Sequence, residues 1–177
     1  MNDELFAQIK TEYDNFYRKI MLNGRLPMWS TSKGFWNASI SDEVYKAFKK
    51  MKLQKYKNFL DVGSGDGKIT MIASMFCKKA DGIEIDKFLH TKGLEVQKKF
   101  EIGNVTLHNK DFFDHDFSQY STLFLSPDTS LERGIEEKLL REMKGTLIHH
   151  GHHFHPRHLK KEKSFEINGS LFTVYKK

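Results

Sequence analysis

The run Phe59-Leu60-Asp61-Val62-Gly63-Ser64-Gly65-Asp66-Gly67 constrains the fold of this chain more than any other. An apolar segment enters a turn with glycine at every second position, and a helix-forming stretch opens directly after it. Glycine admits positive φ and lets a ligand approach the main chain. A helix N-terminus adds free N–H donors and the positive end of a dipole. A strand, a glycine turn and a helix in that order build a nucleotide-binding corner or, in the plainer reading, a tight connection without a ligand.

Spacing argues against two phosphate sites. The dinucleotide fingerprint G-x-G-x-x-G needs its third glycine one residue later than Gly67. A phosphate loop G-x-x-x-x-G-K-[ST] would put its first glycine at Val62 and a hydroxyl residue where Ile69 stands. Asp61, inside the strand, disfavours a pyrophosphate and suits a cation or an amine donor. Glu84 comes 21 residues after Gly63, at the end of the next apolar run. There an acid can accept from both hydroxyls of a ribose. Asp111 can accept from an exocyclic adenine amine, and Phe112 can lie against the ring. Taken singly, Asp111 also reads as a capping residue and Phe112 as plain core.

The rest of the chain follows a regular order. Leu5, Ile9, Tyr13, Phe16 and Ile20 mark one face of a helix over residues 3–22, ended by Asn23-Gly24. Residues 25–38 read as a loop rich in aromatic and small polar groups. A helix over 41–52 follows, capped by Ser39 or Ser41. From there, strands at 59–62, 81–85, 105–107, 122–126 and 145–149 alternate with helices at 67–78, 87–101 and 130–143. That order predicts a parallel sheet with helices on both faces. Asn168-Gly169, between apolar runs at 164–167 and 171–175, predicts a closing antiparallel hairpin. The expected fold is α/β, a Rossmann-like seven-stranded, mostly parallel sheet. Residues 1–40 read as a helical extension with a covering loop, and 41–177 as the main domain.

Composition narrows the class. With 38% apolar residues and 12 glycines among 177, the chain is neither disordered nor membrane-spanning. One cysteine, Cys77, excludes an internal disulfide framework and a cysteine-based zinc site. The first ten residues carry acids and no apolar stretch, unlike a secretory signal. A soluble cytoplasmic protein is expected. The net charge of +6 is uneven: residues 101–137 hold eight acids and two bases, so the remainder carries +12. Six lysines fall between Lys46 and Lys57. They read as a solvated face or as a nucleic-acid footprint.

The three motifs together, DVGSGDG at 61–67, GIEID at 82–86 and KDFF at 110–113, resemble those of the class I S-adenosylmethionine-dependent methyltransferases. The resemblance covers about residues 58–150 and extends to the C-terminal hairpin. It implies S-adenosyl-L-methionine as cofactor. It places Asp61, Gly63, Gly65 and Gly67 in its binding turn, Glu84 at the ribose, and Asp111 and Phe112 at the adenine. The acceptor would lie beyond Leu125-Ser126-Pro127-Asp128, with Ser126 and Asp128 as candidate catalytic groups. The second proline and the aromatic that base-modifying relatives carry here are missing, which argues against a flipped base.

A finer resemblance, to the archaeal-type protein lysine methyltransferases, rests on GSGDG, on Pro27 to Thr31 and on His153 to Pro156. It implies an N-terminal segment lying over the cofactor. Trp29, Thr31, Trp36, His153 and His155 would then border the substrate channel. The implied reaction is N-methylation of lysine side chains in a lysine-rich protein substrate, toward which the acidic 101–137 stretch would attract cations. RNA or a small molecule is the alternative acceptor, and a non-catalytic cofactor-binding partner protein is a third reading. Six of the nine histidines fall between His149 and His158. Alternate strand positions point to opposite faces, so no metal site is expected there.

Overall fold

A computed structural model describes residues 2–32 and 34–177. Helix α1 (Asn2–Leu22) leads into a two-stranded ribbon, β1 (Met28–Ser30) and β2 (Phe35–Asn37), and then helix α2 (Ser41–Met51). The main sheet follows as β3 (Asn58–Val62), β4 (Lys79–Glu84), β5 (Val105–Asn109), β6 (Thr122–Leu125), β7 (Thr146–His150), β8 (Lys160–Ile167) and β9 (Ser170–Lys176). Helices α3 (Lys68–Ser74), α4 (Lys87–Lys99) and α5 (Ile135–Glu142) connect them. The seven strands lie in the order β5-β4-β3-β6-β7-β9-β8. The first five are parallel, and β9 pairs antiparallel with both β7 and β8. The expected Rossmann-like sheet and its closing hairpin are present.

Period-two alternation sends the two faces of each strand into different cores. Phe59 and Phe124 pack with Phe48, Tyr13 and Ile9 on the face of α1 and α2. Leu60, Val62, Leu123 and Leu125 pack with Ile135 and Leu139 of α5 on the other. Tyr13 and Ile9 are fully buried, so α1 contributes to the main core as well as preceding the sheet.

Several boundaries differ from expectation for identifiable reasons. Residues 25–38 contain the β1–β2 ribbon, pairing Trp29 with Trp36, instead of irregular loop. The residue before α2 is Ile40, and no side chain caps that helix, so neither serine does so. The Ser39 carbonyl instead accepts from the Lys68 ammonium. Helix α5 begins only at Ile135 because Gly134 sits at φ 92°, outside helical space. Strand β8 extends back to Lys160 through a charged run, as the exposed edge of the sheet allows.

Candidate functional site

The chain runs from β3 to β4 to β5 in one direction across the sheet, then returns to place β6 on the other side of β3. The strand order therefore reverses between β3 and β6, and ligands of open α/β sheets bind outside the carboxyl ends at such a point. A cavity of about 590 Å³ lies there.

The glycine turn forms its floor. Gly63, Gly65 and Gly67 adopt φ of 73°, 55° and 79°. Such values favour glycine, and Gly63 and Gly65 border the cavity without a side chain to fill it. The Glu84 carboxylate, at the end of the neighbouring strand, accepts from Gly65 N at 2.8 Å and from Asp86 N at 2.7 Å. Burial raises its pKa. Asp61 is buried and accepts from the Thr70 hydroxyl at 2.9 Å. Desolvation pushes its carboxyl up to about 7, with the Thr70 hydrogen bond opposing.

A second, buried polar layer supports the turn and was not anticipated. Tyr13 donates to the Asp66 carbonyl at 2.8 Å and Tyr17 to the Asp66 carboxylate at 2.5 Å. The Lys68 ammonium lies 4.6 Å from the Tyr17 ring centroid. Tyr13 and Tyr17 are four residues apart and so share one face of α1. Tyr13 stood on the helical stripe, where it reads as core alone, and Tyr17, one turn on, was not singled out.

Gly67 does not line the cavity. A Cβ there would stand 3.2 Å from the Cα of Gly93, so this glycine lets the start of α3 pack on α4. Asp111 caps the 3₁₀ turn at Phe112–Asp114, accepting from Phe113 N, and both Asp111 and Phe112 line the cavity.

The opposite wall comes from the ends of β6 and β7 and from the ribbon. Ser126 and Asp128 both line the cavity. Ser126 Oγ lies 3.2 Å from His150 Nδ1. The His150 ring stacks on Phe172, 4.7 Å away, and burial drops its pKa to about 4. The expected channel histidines lie elsewhere. His155 packs on Tyr175 and His149, across the sheet from the ring of His150, and His153 lies beside Phe154. Strand alternation sends His149 and His150 to opposite faces, and His155, beyond the end of β7, packs on the His149 side. His150 takes the cavity position. Among the described residues, no three His, Cys, Asp or Glu side chains are grouped to hold a metal ion.

Asp128, expected as a catalytic group, accepts a hydrogen bond from the Phe35 amide and so ties the ribbon to the end of β6. Thr31 and Trp36 line the cavity, and the Trp36 indole lies directly on Gly65. Trp29 stands one layer out, its ring centroid 4.4 Å from that of Trp36. Five carboxylates (Asp61, Asp66, Glu84, Asp111 and Asp128) and two ammonium groups (Lys68 and Lys110) border the space, which gives it a cation-attracting lining.

A scan against protein-family models and a search of curated proteins both found no match. Solved structures do match. An RNA methyltransferase from Salinibacter ruber, in complex with S-adenosyl-L-homocysteine, superposes with a TM-score of 0.67 at 20% identity, over 78% of this chain and 92% of that one. The fold is that of the S-adenosylmethionine-dependent methyltransferases. The N-methyltransferase NodS from Bradyrhizobium japonicum shares it, with a TM-score of 0.59 at 11% identity, over 74% of this chain and 92% of that one. So does the precorrin-6y C5,15-methyltransferase from Geobacter metallireducens, with a TM-score of 0.59 at 14% identity, over 83% and 92%. No helix among the described residues is long and apolar enough to cross a membrane.

Proposed function

We propose that this protein is a methyltransferase using S-adenosyl-L-methionine. One observation carries the reading: Asp61, the Gly63–Gly65 turn, Glu84 and Asp111 border one cavity at the point where the strand order reverses. When bound, the cofactor supplies a methyl group on a sulfonium centre. The chain's own residues then bind, orient and exclude water. Gly63 and Gly65 let the ligand approach the main chain. Asp61 faces the cationic aminoacyl end. Glu84 keeps lone pairs free for the ribose hydroxyls beyond the two amides it already accepts from. Asp111 takes the adenine amine, and Phe112 lies against the ring. On the acceptor side Ser126, held by His150, presents a hydroxyl to the incoming nucleophile. The ribbon, with Thr31 and Trp36, closes the space so that the reactants meet without water.

For the acceptor, the carboxylate-rich lining supports a lysine side chain of a protein substrate, because it would attract the ammonium form. That amine must lose its proton before attack, since its ordinary pKa is near 10.4. RNA is the second reading. It is favoured by the fold shared with the Salinibacter RNA methyltransferase. The test is transfer of labelled methyl from S-adenosylmethionine to a lysine-rich basic protein and to total RNA. Label in protein supports the first reading and label in RNA the second. Cofactor binding without label in either pool would favour a non-catalytic binding protein.

A further inference from the structure

Outside the cavity, rings continue in a ladder. Trp36, which lines the cavity, meets Trp29 at 4.4 Å, Trp29 meets Phe88 at 5.9 Å, and Phe88 meets Phe16 at 6.3 Å between centroids. The ladder ends in a groove of about 630 Å³ between α1 and α4. Phe88, the second residue of α4, is 60% exposed although two aromatic rings, Trp29 and Phe16, lie beside it. The groove carries four cations (Arg18, Lys19, Lys92 and Lys99) and two acids (Glu12 and Glu95). The two acids are paired with Lys92 and Lys99, so Arg18 and Lys19 supply the groove's excess positive charge. Glu12 accepts from Lys92 at 2.9 Å and from Lys99 at 2.5 Å, and Glu95 lies 3.7 Å from Lys92. Arg18 and Lys19 stand exposed on the rim. The Lys92 ammonium lies 5.1 Å from the Phe16 ring centroid.

We propose that this groove and its aromatic ladder form a docking platform for a single-stranded RNA segment, which would lead its target into the cavity. The inference rests on the RNA reading given above. Charge separates it from a lysine-rich peptide, because the groove is net positive whereas the cavity lining is net negative. A base is a flat apolar face on an anionic backbone, and it fits an exposed ring flanked by cations. Stacking on phenylalanine requires no unique sequence, so the platform sets position and the cavity sets the target. A base held on Phe88 sits two rings from the cavity wall.

The test uses the full chain and a fluorescein-labelled, mixed-sequence 12-nucleotide single-stranded RNA, read by anisotropy at two salt concentrations. Phe88→Ala should weaken binding roughly 5- to 150-fold, the range for loss of one stacked base. The double variant Arg18→Ala/Lys19→Ala should also bind more weakly, with a shallower dependence on salt by about 0.7 per lost contact. Both sites are exposed, and matched melting temperatures would verify folding. No binding by the unmodified chain would overturn the proposal, as would unchanged affinity in Phe88→Ala. Equal binding of an acidic peptide that is indifferent to Phe88 would also overturn it, leaving charge alone. Titration of the unmodified chain with S-adenosylhomocysteine separates the two claims. RNA binding without it would sink the methyltransferase reading only, and the reverse would sink the platform only.

Discussion

The Tyr17 hydroxyl donates to the Asp66 carboxylate across 49 residues of chain, fastening the first helix to the glycine turn. Asp66 is buried, and its pKa is raised by that burial, so it depends on each donor it has. Tyr17→Phe removes one donor and leaves the rest of the ring in place. The expected cost is about 1–3 kcal/mol of stability, the range for an unsatisfied buried acceptor. Chemical denaturation with an unchanged m-value checks this. A variant as stable as the parent would show that the hydrogen bond is not formed in solution.

Gly65→Ala tests the packing of the ribbon on the turn. The residue has φ 55°, and its Cβ would overlap the Trp36 indole. Strain and overlap together should cost about 1–3 kcal/mol. Adding Trp36→Leu should recover the overlap portion and leave the backbone portion. A double-mutant cycle on melting data gives the coupling. Additive effects would contradict direct contact.

Much of this was legible in the chain. Glycine spacing marked the turn because glycine takes positive φ at the least cost, and three of its five positions have it. Alternating apolar runs marked the sheet, and Asn168-Gly169 marked the hairpin, since both elements are set by local periodicity and turn chemistry. The partners of Asp66 were not legible, because Tyr17 lies on a core-facing stripe and its hydroxyl contact is decided by tertiary packing. The role of Asp128 was hidden for the same reason. The carboxylate at the end of β6 read as a candidate catalytic group, and its contact with the Phe35 amide was not foreseen. His149 and His150 could not be separated by composition, and strand parity on β7 decided between them, while His155 lies beyond the strand on Tyr175.

Asp61 sets a pH dependence. Its folded carboxyl, pushed up to about 7, keeps a proton that the unfolded chain releases near 4. The folded state therefore holds more protons between these values, and this group's contribution to stability falls as pH rises from about 4 to 7. Asp61→Asn removes the dependence. The variant's melting temperature relative to the parent should rise between pH 5 and pH 8. The difference isolates Asp61 from the buried histidines, whose lowered pKa values work in the opposite sense. A constant difference across that range would refute the prediction.

His150 gives that opposite sign. Its folded pKa of about 4 lies below the unfolded 6.5, so stability from its neutral form is present above pH 6.5 and lost as pH falls toward 4. His150→Phe should keep the stack on Phe172 and soften the acid loss. It should also lower methyl transfer, because Ser126 loses its partner. Melting curves from pH 4.5 to 7 and single-turnover rates check the two parts separately.

Asp128 should act as the fastening of the ribbon. Asp128→Ala leaves the Phe35 amide without its acceptor. Native-state hydrogen exchange should then speed up at Phe35 and at neighbouring ribbon amides, with the amides of β3 and β6 unchanged. Uniform acceleration, or none, would remove the ribbon from this role.

The most direct test of the central claim is calorimetric titration of the full chain with S-adenosylhomocysteine, repeated on Glu84→Ala. Micromolar binding by the parent, weakened at least about tenfold in the variant (about 1.4 kcal/mol), is the predicted result. Absence of binding by the parent, or equal affinity in Glu84→Ala, would contradict the assignment of this cavity to the cofactor.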